Sequence, residues 1–244
     1  PTREGVSERK REPEQLDFRY RVLQEDVKQS RFSVAWHIPE VSHADIPAID
    51  ALAIVLGHGD SSRLYRAIRQ EQKLVNEIYA YAYTPKDPGL FMVGAGLNAD
   101  NLQEALRASF LEVFGLCRQI TQAELDKAKA IILSESAYLR ETMQGQARKL
   151  GFFEVVAGGY GFEQAYREAV GALHTEDLLR VANKYLVDAC SLAIQIPFGA
   201  WAPEKEELES LIQETIAAGQ GVRASSSEGA ERFSHQGQLL SSPA

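Results

Sequence analysis

The sequence predicts an α+β fold in which an antiparallel (mixed) sheet is covered by helices on one side. Three observations support this prediction. Segments in which apolar residues alternate with polar or small ones fill much of the first hundred residues. Helical periodicity takes over from Asn101, and one further alternating segment returns near residue 191. Strands that are largely separated from helices along the chain, with short loops between strands, are typical of antiparallel α+β domains.

The predicted strands follow the period-two alternation of apolar side chains. They cover residues 18–22, 32–36, 79–84, 90–97 and 191–197. A turn rich in proline and glycine, residues 85–89, joins the third strand to the fourth and predicts a hairpin. Gly94 and Gly96 lie on one face of the fourth strand, where a helix or a ligand backbone could approach closely.

The predicted helices follow the 3.6-residue period and its end signals. They cover residues 46–56, a short basic segment after Asp60/Ser61, and residues 102–114, 122–141, 144–157, 162–170, 176–186 and 204–217. Gly57 ends the first helix, and Thr121 with Glu124 forms a capping box at the start of the fourth. Thr175 is expected to cap the helix near 176–186.

Length and composition predict one large domain. Of 244 residues, 1–15 are expected to form a linker, 16–217 the folded domain and 218–244 an irregular tail. The net charge of −8 argues against nucleic-acid binding. No apolar run is long enough to cross a bilayer, and no secretory signal is present. The chain begins at Pro1, as expected of a processed or excised chain. The sequence does not distinguish a periplasmic from a cytoplasmic location.

The most informative segment is 56–83, which joins a glycine-rich turn, a short basic helix and a tyrosine-rich strand. Its core reads Gly-His-Gly-Asp-Ser-Ser-Arg-Leu-Tyr over residues 57–65, followed by Arg66 and Arg69. Two later segments complete the pattern: Asp-Pro-Gly-Leu-Phe at 87–91, and the helix at 175–186 with Ala182 and Tyr185.

These segments, in this order, resemble the second domain type of the insulinase/pitrilysin family of zinc metallopeptidases (inverzincins). The resemblance covers about residues 18–197. It implies an α+β domain like those of mitochondrial processing peptidase, which supports the peptidase without holding its metal. In this family two halves close like a clamshell around an unfolded peptide. Zinc is bound in a first domain by the motif H-x-x-E-H, with a glutamate as general base.

No metal or catalytic residue is predicted in this chain, because it has no H-x-x-E-H. His37 and His43 come nearest, with Glu40 between them, but Pro39 prevents the helix that would bring two histidines together. The other histidines are isolated: His58, His174 and His235. The two cysteines, Cys117 and Cys190, are too far apart in sequence for a paired-cysteine metal site and are expected to be buried.

The resemblance implies a substrate-binding role for Arg69 and the residue seven positions later. In active members, an arginine and a tyrosine with this spacing donate hydrogen bonds to the scissile carbonyl. Here the second position is Asn76, and Lys73 replaces the family glycine. Asparagine is shorter than tyrosine, so the pair is expected not to function in catalysis. This departure fits the second domain of a zinc-bearing protein, in which the pair is not needed.

Three hypotheses for function therefore stay open. The chain is the non-zinc-binding domain of a zinc endopeptidase, inactive alone, whose parent binds zinc and peptide substrates. Alternatively, it belongs to a non-catalytic scaffold or assembly subunit of the same family. A third hypothesis, independent of the resemblance, is an α+β binding domain. The expected partner of this chain is the zinc-bearing domain of the same protein or a partner subunit. No nucleic acid, membrane span or cofactor is expected for this chain itself.

Overall fold

A computed structural model describes residues 12–218 and contains one five-stranded mixed sheet. Its strands are β1 (Arg19–Glu25), β2 (Ser30–Ile38), β3 (Glu77–Tyr83), β4 (Gly89–Leu97) and β5 (Ser191–Pro197). The helices are α1 (Ile46–Gly57), α2 (Leu102–Leu116), α3 (Gln122–Tyr138), α4 (Met143–Val155), α5 (Phe162–Ala172), α6 (Thr175–Tyr185) and α7 (205–218). A π-helical segment, Tyr65–Glu71, lies between α1 and β3. The predicted α+β class is confirmed.

The strand order is β1-β5-β2-β4-β3. The predicted β3–β4 hairpin is present, and only the β1–β5 pair is parallel. The short loop between β1 and β2 does not join paired strands, because β5 lies between them. Leu192, Ile194 and Ile196 of β5 are buried, whereas nearly all of β1 is exposed. The apolar strand therefore occupies the interior of the sheet and the charged strand forms its edge.

The apolar helix α1 forms the centre of the core. Nearly all its residues are buried, and it contacts β3 and β4 as well as α3, α5 and α6. Its last residue, Gly57, lies against the backbone of β3. A Cβ atom at Gly57 would lie 2.1 Å from the backbone nitrogen of Ala80, so only glycine permits this approach. Helices thus cover one face of the sheet.

Of the three predicted helix caps, one is confirmed and two differ from the structure. The capping box of Thr121 and Glu124 at the start of α3 is confirmed. In α6, however, Thr175 is already the first helical residue, and His174 precedes the helix and donates its backbone N–H to the Asp177 carboxylate at 2.9 Å. The helix that continues into the π-helical segment begins at Arg63, directly after Ser62, so the expected cap at Asp60/Ser61 is wrong.

Some sequence-based expectations concern residues that the structure does not describe. The proposed linker, residues 1–15, and the proposed tail, residues 218–244, fall mainly there, as does His235. Within residues 12–218, no helix is long and apolar enough to span a membrane.

Candidate functional site

A buried serine fixes the turn near the start of residues 56–83, which we call the signature segment. The Ser62 hydroxyl donates a hydrogen bond to the carbonyl oxygen of Gly59 at 2.7 Å, and Gly59 has a positive φ of 77°. Leu64 and Ile68 are fully buried in the core. The polar side chains between them consequently point away from the core, which determines where the arginines of this segment lie.

Arg63 connects the signature segment to the start of α3 through hydrogen bonds and an ion pair. Its guanidinium donates to the Glu124 carboxylate at 2.6 and 2.9 Å and to the carbonyl oxygen of Gln119 at 2.7 Å. Burial alone would raise the pKa of Glu124, but Arg63 and the Thr121 donors outweigh it and lower the pKa to about 2. Glu124 thus serves both the ion pair and the capping box.

The π-helical segment ends in an unusual backbone conformation. Lys73, at the position of the family glycine, has φ 57° and is the one non-glycine residue with positive φ in the part of the chain that the structure describes. The Leu74 N–H donates a hydrogen bond to the carbonyl oxygen of Ile68 at 3.0 Å, which closes the helix end. The backbone at Lys73 is therefore left-handed, a conformation that glycine adopts most readily.

Arg69 and Asn76, the predicted substrate-binding pair, are both exposed. The Arg69 guanidinium lies 4.8 Å from the ring centroid of Tyr65, a cation–π contact that holds it along the segment. The Asn76 backbone N–H donates to the carbonyl oxygen of Gly96 at 2.8 Å, immediately before β3. Their side chains make no hydrogen bond to each other in residues 12–218, so their role in substrate binding stays a prediction.

The uncovered face of the sheet includes strand β3 of the signature segment and its neighbour β4. On β3 it carries Tyr79, Tyr81 and Tyr83, each exposed by about two-fifths or more. Tyr79 packs over Gly94, where an added Cβ would lie 2.5 Å from the tyrosine ring. Tyr81 donates to the sulfur of Met92 at 3.1 Å. Of the two glycines predicted to allow close approach, Gly94 thus accommodates the Tyr79 ring and Gly96 the Glu77 side chain of the same sheet.

A shallow cavity of about 390 Å³ lies on this face. Residues of all five strands line it, among them Leu23, Arg31, Ser33, Glu77, Tyr79, Ala95 and Gln195. The sheet register brings Arg31 opposite both Gly96 and Gln195, and Glu77 opposite Gly96. Sequence reasoning found Tyr79 and the glycines but missed Arg31 and Gln195, because no local pattern shows which strands become neighbours. We call this surface, with its cavity, the open sheet face.

The residues present do not fit a zinc site. Across residues 12–218, no group of three or more His, Cys, Asp or Glu side chains is arranged to hold a metal ion. His43 accepts a hydrogen bond from the Asp45 backbone N–H at its Nδ1, and His58 lies 3.7 Å from the Glu135 carboxylate. Zinc binding by three protein ligands, as catalysis requires, has no counterpart among these side chains.

Two acidic side chains, one immediately before α1 and one within it, have shifted pKa values. Burial would raise the pKa of Asp45, but hydrogen bonds from Lys184, Tyr185 and Arg180 hold it well below its usual range. Burial raises the pKa of Asp50 to about 6, although Tyr166 donates a hydrogen bond to its carboxylate at 2.6 Å. Both residues join α1 to later helices, which indicates a structural role.

The sequence of residues 4–132 matches the family described as Peptidase M16 inactive domain. Zinc protease PqqE of Helicobacter pylori is 28% identical over 189 residues, which cover 75% of this chain and 42% of that protein. The chain thus spans less than half the length of this relative.

Solved structures share the fold. A protease from Helicobacter pylori is similar with a TM-score of 0.69 and 29% identity, covering 77% of this chain and 46% of that one. A peptidase M16 inactive domain structure from Pseudomonas fluorescens has a TM-score of 0.69 at 20% identity, over 81% of this chain and 48% of that one. The turn, the left-handed position at Lys73 and the sheet described above, together with the family match over more than half of the sequence, lead to one conclusion: the chain belongs to the Peptidase M16 inactive domain family.

Proposed function

We propose that this chain is the non-zinc-binding domain of a longer zinc-dependent metalloendopeptidase, and that it forms part of the wall of a clamshell chamber in which peptides are degraded. The zinc and the general base belong to another domain of the same protein or to a partner subunit. This chain contributes surface and binding groups, and no step of the hydrolysis.

The open sheet face is the observation that carries the proposal. Sheets covered on one face usually expose polar residues on the other, yet here tyrosines and small residues predominate on β3 and β4. Tyrosine offers apolar contact and a hydrogen-bonding hydroxyl, which suits peptides of varied sequence. The cavity beside Tyr79 adds Arg31, Glu77 and Gln195 as polar groups. Such a surface fits the inner wall of a chamber.

Arg69 and Asn76 are proposed as substrate-binding residues near one end of this face. Asn76 directly precedes β3, whose first residue, Glu77, borders the cavity. Arg69 is exposed and held only by its contact with Tyr65 among the described residues, so its guanidinium could turn towards a peptide carbonyl.

A second surface supports association with a zinc-bearing partner. Between residues 138 and 160, seven large apolar side chains are at least two-fifths exposed: Tyr138, Leu139, Met143, Leu150, Phe152, Val155 and Tyr160. Helix α4, which carries four of them, has no buried residue at all. Exposed apolar groups at this density mark contact surfaces between proteins or domains.

The proposal is tested in the full-length protein that contains this chain. It should bind about one zinc per zinc-bearing domain and cleave a casein-like substrate in a chelator-sensitive manner. The substitution Ala193→Trp, on the open sheet face, should lower kcat/KM by about 10-fold or more by obstructing peptide positioning. Ala130→Trp, exposed on α3, is the matched control and should leave kcat/KM unchanged.

Arg69 is tested in the same assay. Arg69→Gln should raise KM for peptide several-fold, whereas Arg167→Gln, an exposed substitution on α5, should not. A full-length protein without zinc and without peptidase activity would instead support the scaffold hypothesis. Full activity in Ala193→Trp would show that the open sheet face does not line the chamber.

A further inference from the structure

A second cavity, of about 790 Å³, lies on the helical side of the domain, between the start of the π-helical segment and the start of α3. Its polar lining is dominated by cations: Arg63, Arg66, Arg118 and Lys127. Glu124 is the one acidic residue that lines it among residues 12–218. We call this the basic cavity. Its charge contrasts with the net charge of −8 of the whole chain.

Only one of the four cations is neutralised by a carboxylate. Glu124 is occupied by Arg63, which binds it through two hydrogen bonds. Lys127 donates to a neutral group, the Ser61 hydroxyl, at 2.6 Å. Arg66 makes no side-chain hydrogen bond or ion pair with any described residue. Among residues 12–218, therefore, no carboxylate forms an ion pair with Arg66, Arg118 or Lys127, three cations that line the same cavity.

Arg118 adds an independent observation. Its Nε atom is buried and has no hydrogen-bond partner among the residues that the structure describes. A buried N–H donor without an acceptor is unfavourable, and such atoms are rare in native structures. Arg118 is itself a lining residue, and because its Nε atom is shielded from solvent, an oxyanion in the cavity would be bound by the terminal nitrogens of its guanidinium.

We infer that the basic cavity binds an oxyanion of phosphate size, held by Arg66, Arg118 and Lys127. Guanidinium groups present paired N–H donors that match the oxygens of a tetrahedral oxyanion, and the lysine adds a point charge. Arg63 stays paired with Glu124 and forms the rim. The oxyanion is either free phosphate or the phosphate group of a small phosphomonoester. This inference does not rest on the proposed peptidase role.

The test is a titration of residues 1–244 with inorganic phosphate, followed by calorimetry and by the thermal midpoint at constant ionic strength. Phosphate should bind in the millimolar range or tighter and raise the midpoint, whereas chloride and acetate should not. Arg118→Gln and Lys127→Met should each weaken binding by about 10-fold. Arg167→Gln, outside the cavity, should bind as the unchanged chain does.

A parallel titration with O-phosphoserine distinguishes the two sources. Tighter binding of phosphoserine than of phosphate favours a phosphomonoester, and the reverse favours the free anion. If Arg118→Gln does not fold, as judged by circular dichroism, Arg66→Gln at an exposed position takes its place. Phosphate that acts no differently from chloride, or binding that survives the loss of Arg66 and Lys127, would overturn the inference.

Discussion

Lys73 occupies a backbone conformation that favours glycine. Its φ of 57° is the conformation that glycine adopts without strain, and a side chain there costs about 1–2 kcal/mol. The helix end that it forms, with Leu74 bonded back to Ile68, is nevertheless intact. The tertiary contacts of the segment, above all the buried Leu64 and Ile68, therefore impose the conformation.

Lys73→Gly should stabilise the domain. Relief of the left-handed strain exceeds the greater freedom of glycine in the unfolded chain, so the free energy of unfolding should rise by about 0.5–1 kcal/mol in urea titrations. Lys73→Ala is the control, because it keeps a Cβ at the same backbone angles. An equal gain from Lys73→Ala would show that the lysine side chain, and not the backbone, is responsible.

Asp50 should make stability depend on pH between about 4 and 6. The unfolded chain releases the proton near 3.8 and the folded domain near 6, so the folded state binds more protons in this window. The free energy of unfolding should therefore fall as pH rises through it, by about 2–3 kcal/mol from this group. Asp50→Asn should remove this fall, measured by urea unfolding at several pH values.

The control for Asp50 is Asp60→Asn, on the exposed turn before the signature helix. It should leave the pH profile of the unfolding free energy unchanged. A profile for Asp50→Asn that retains the full decline between pH 4 and 6 would assign the effect to another group.

At the scale of elements, patterns that act within one segment could be predicted, and contacts between distant segments could not. The Thr121–Glu124 capping box was predicted because both partners lie within one turn. The same glutamate also binds Arg63, from a segment far away in sequence, which no local signal reveals. The strand β5 was likewise predicted as a strand, but its position between β1 and β2 depends on which strand is most apolar.

The contact between α1 and β3 predicts a large effect of Gly57→Ala. The new Cβ would lie within 2.1 Å of the Ala80 backbone, so the helix must move away from the sheet, at a cost of about 3 kcal/mol or loss of folding. Gly115→Ala on α2 meets no atom within 4 Å and should instead stabilise by about 0.5–1 kcal/mol. Thermal unfolding of both variants provides the measurement, and equal effects would contradict the close approach.

At the scale of the whole molecule, the absence of a metal-binding group in residues 12–218 predicts how the chain behaves alone. Zinc added to residues 1–244 should produce no hydrolysis of a casein-like substrate, because no side chains in the described part of the chain are arranged to hold a metal ion and activate its bound water. The measurement is peptide release with and without a chelator. Chelator-sensitive cleavage by the pure chain would contradict this prediction. It would also contradict the proposal that the zinc and the general base belong to another domain or subunit.

The candidate site was only partly predictable for the same reason as the fold. The signature indicated Arg69, the tyrosines of β3 and the glycines of β4, since each lies in one recognisable segment. The basic cavity was not foreseen, because Arg118 and Arg66 meet only through the packing of α2, α3 and the π-helical segment. A cluster of charges that forms only when distant segments pack together has no local pattern in the sequence.

The parallel pair of β1 and β5 has a consequence for biosynthesis. Arg19 is matched with Ser191, so β1 has no sheet partner until β5, the last strand of residues 12–218, has been translated. Ordering such a distant pair is entropically costly and slow. Nascent chains stopped before β5 should thus leave β1 unpaired and open to proteases until residues 191–197 are released.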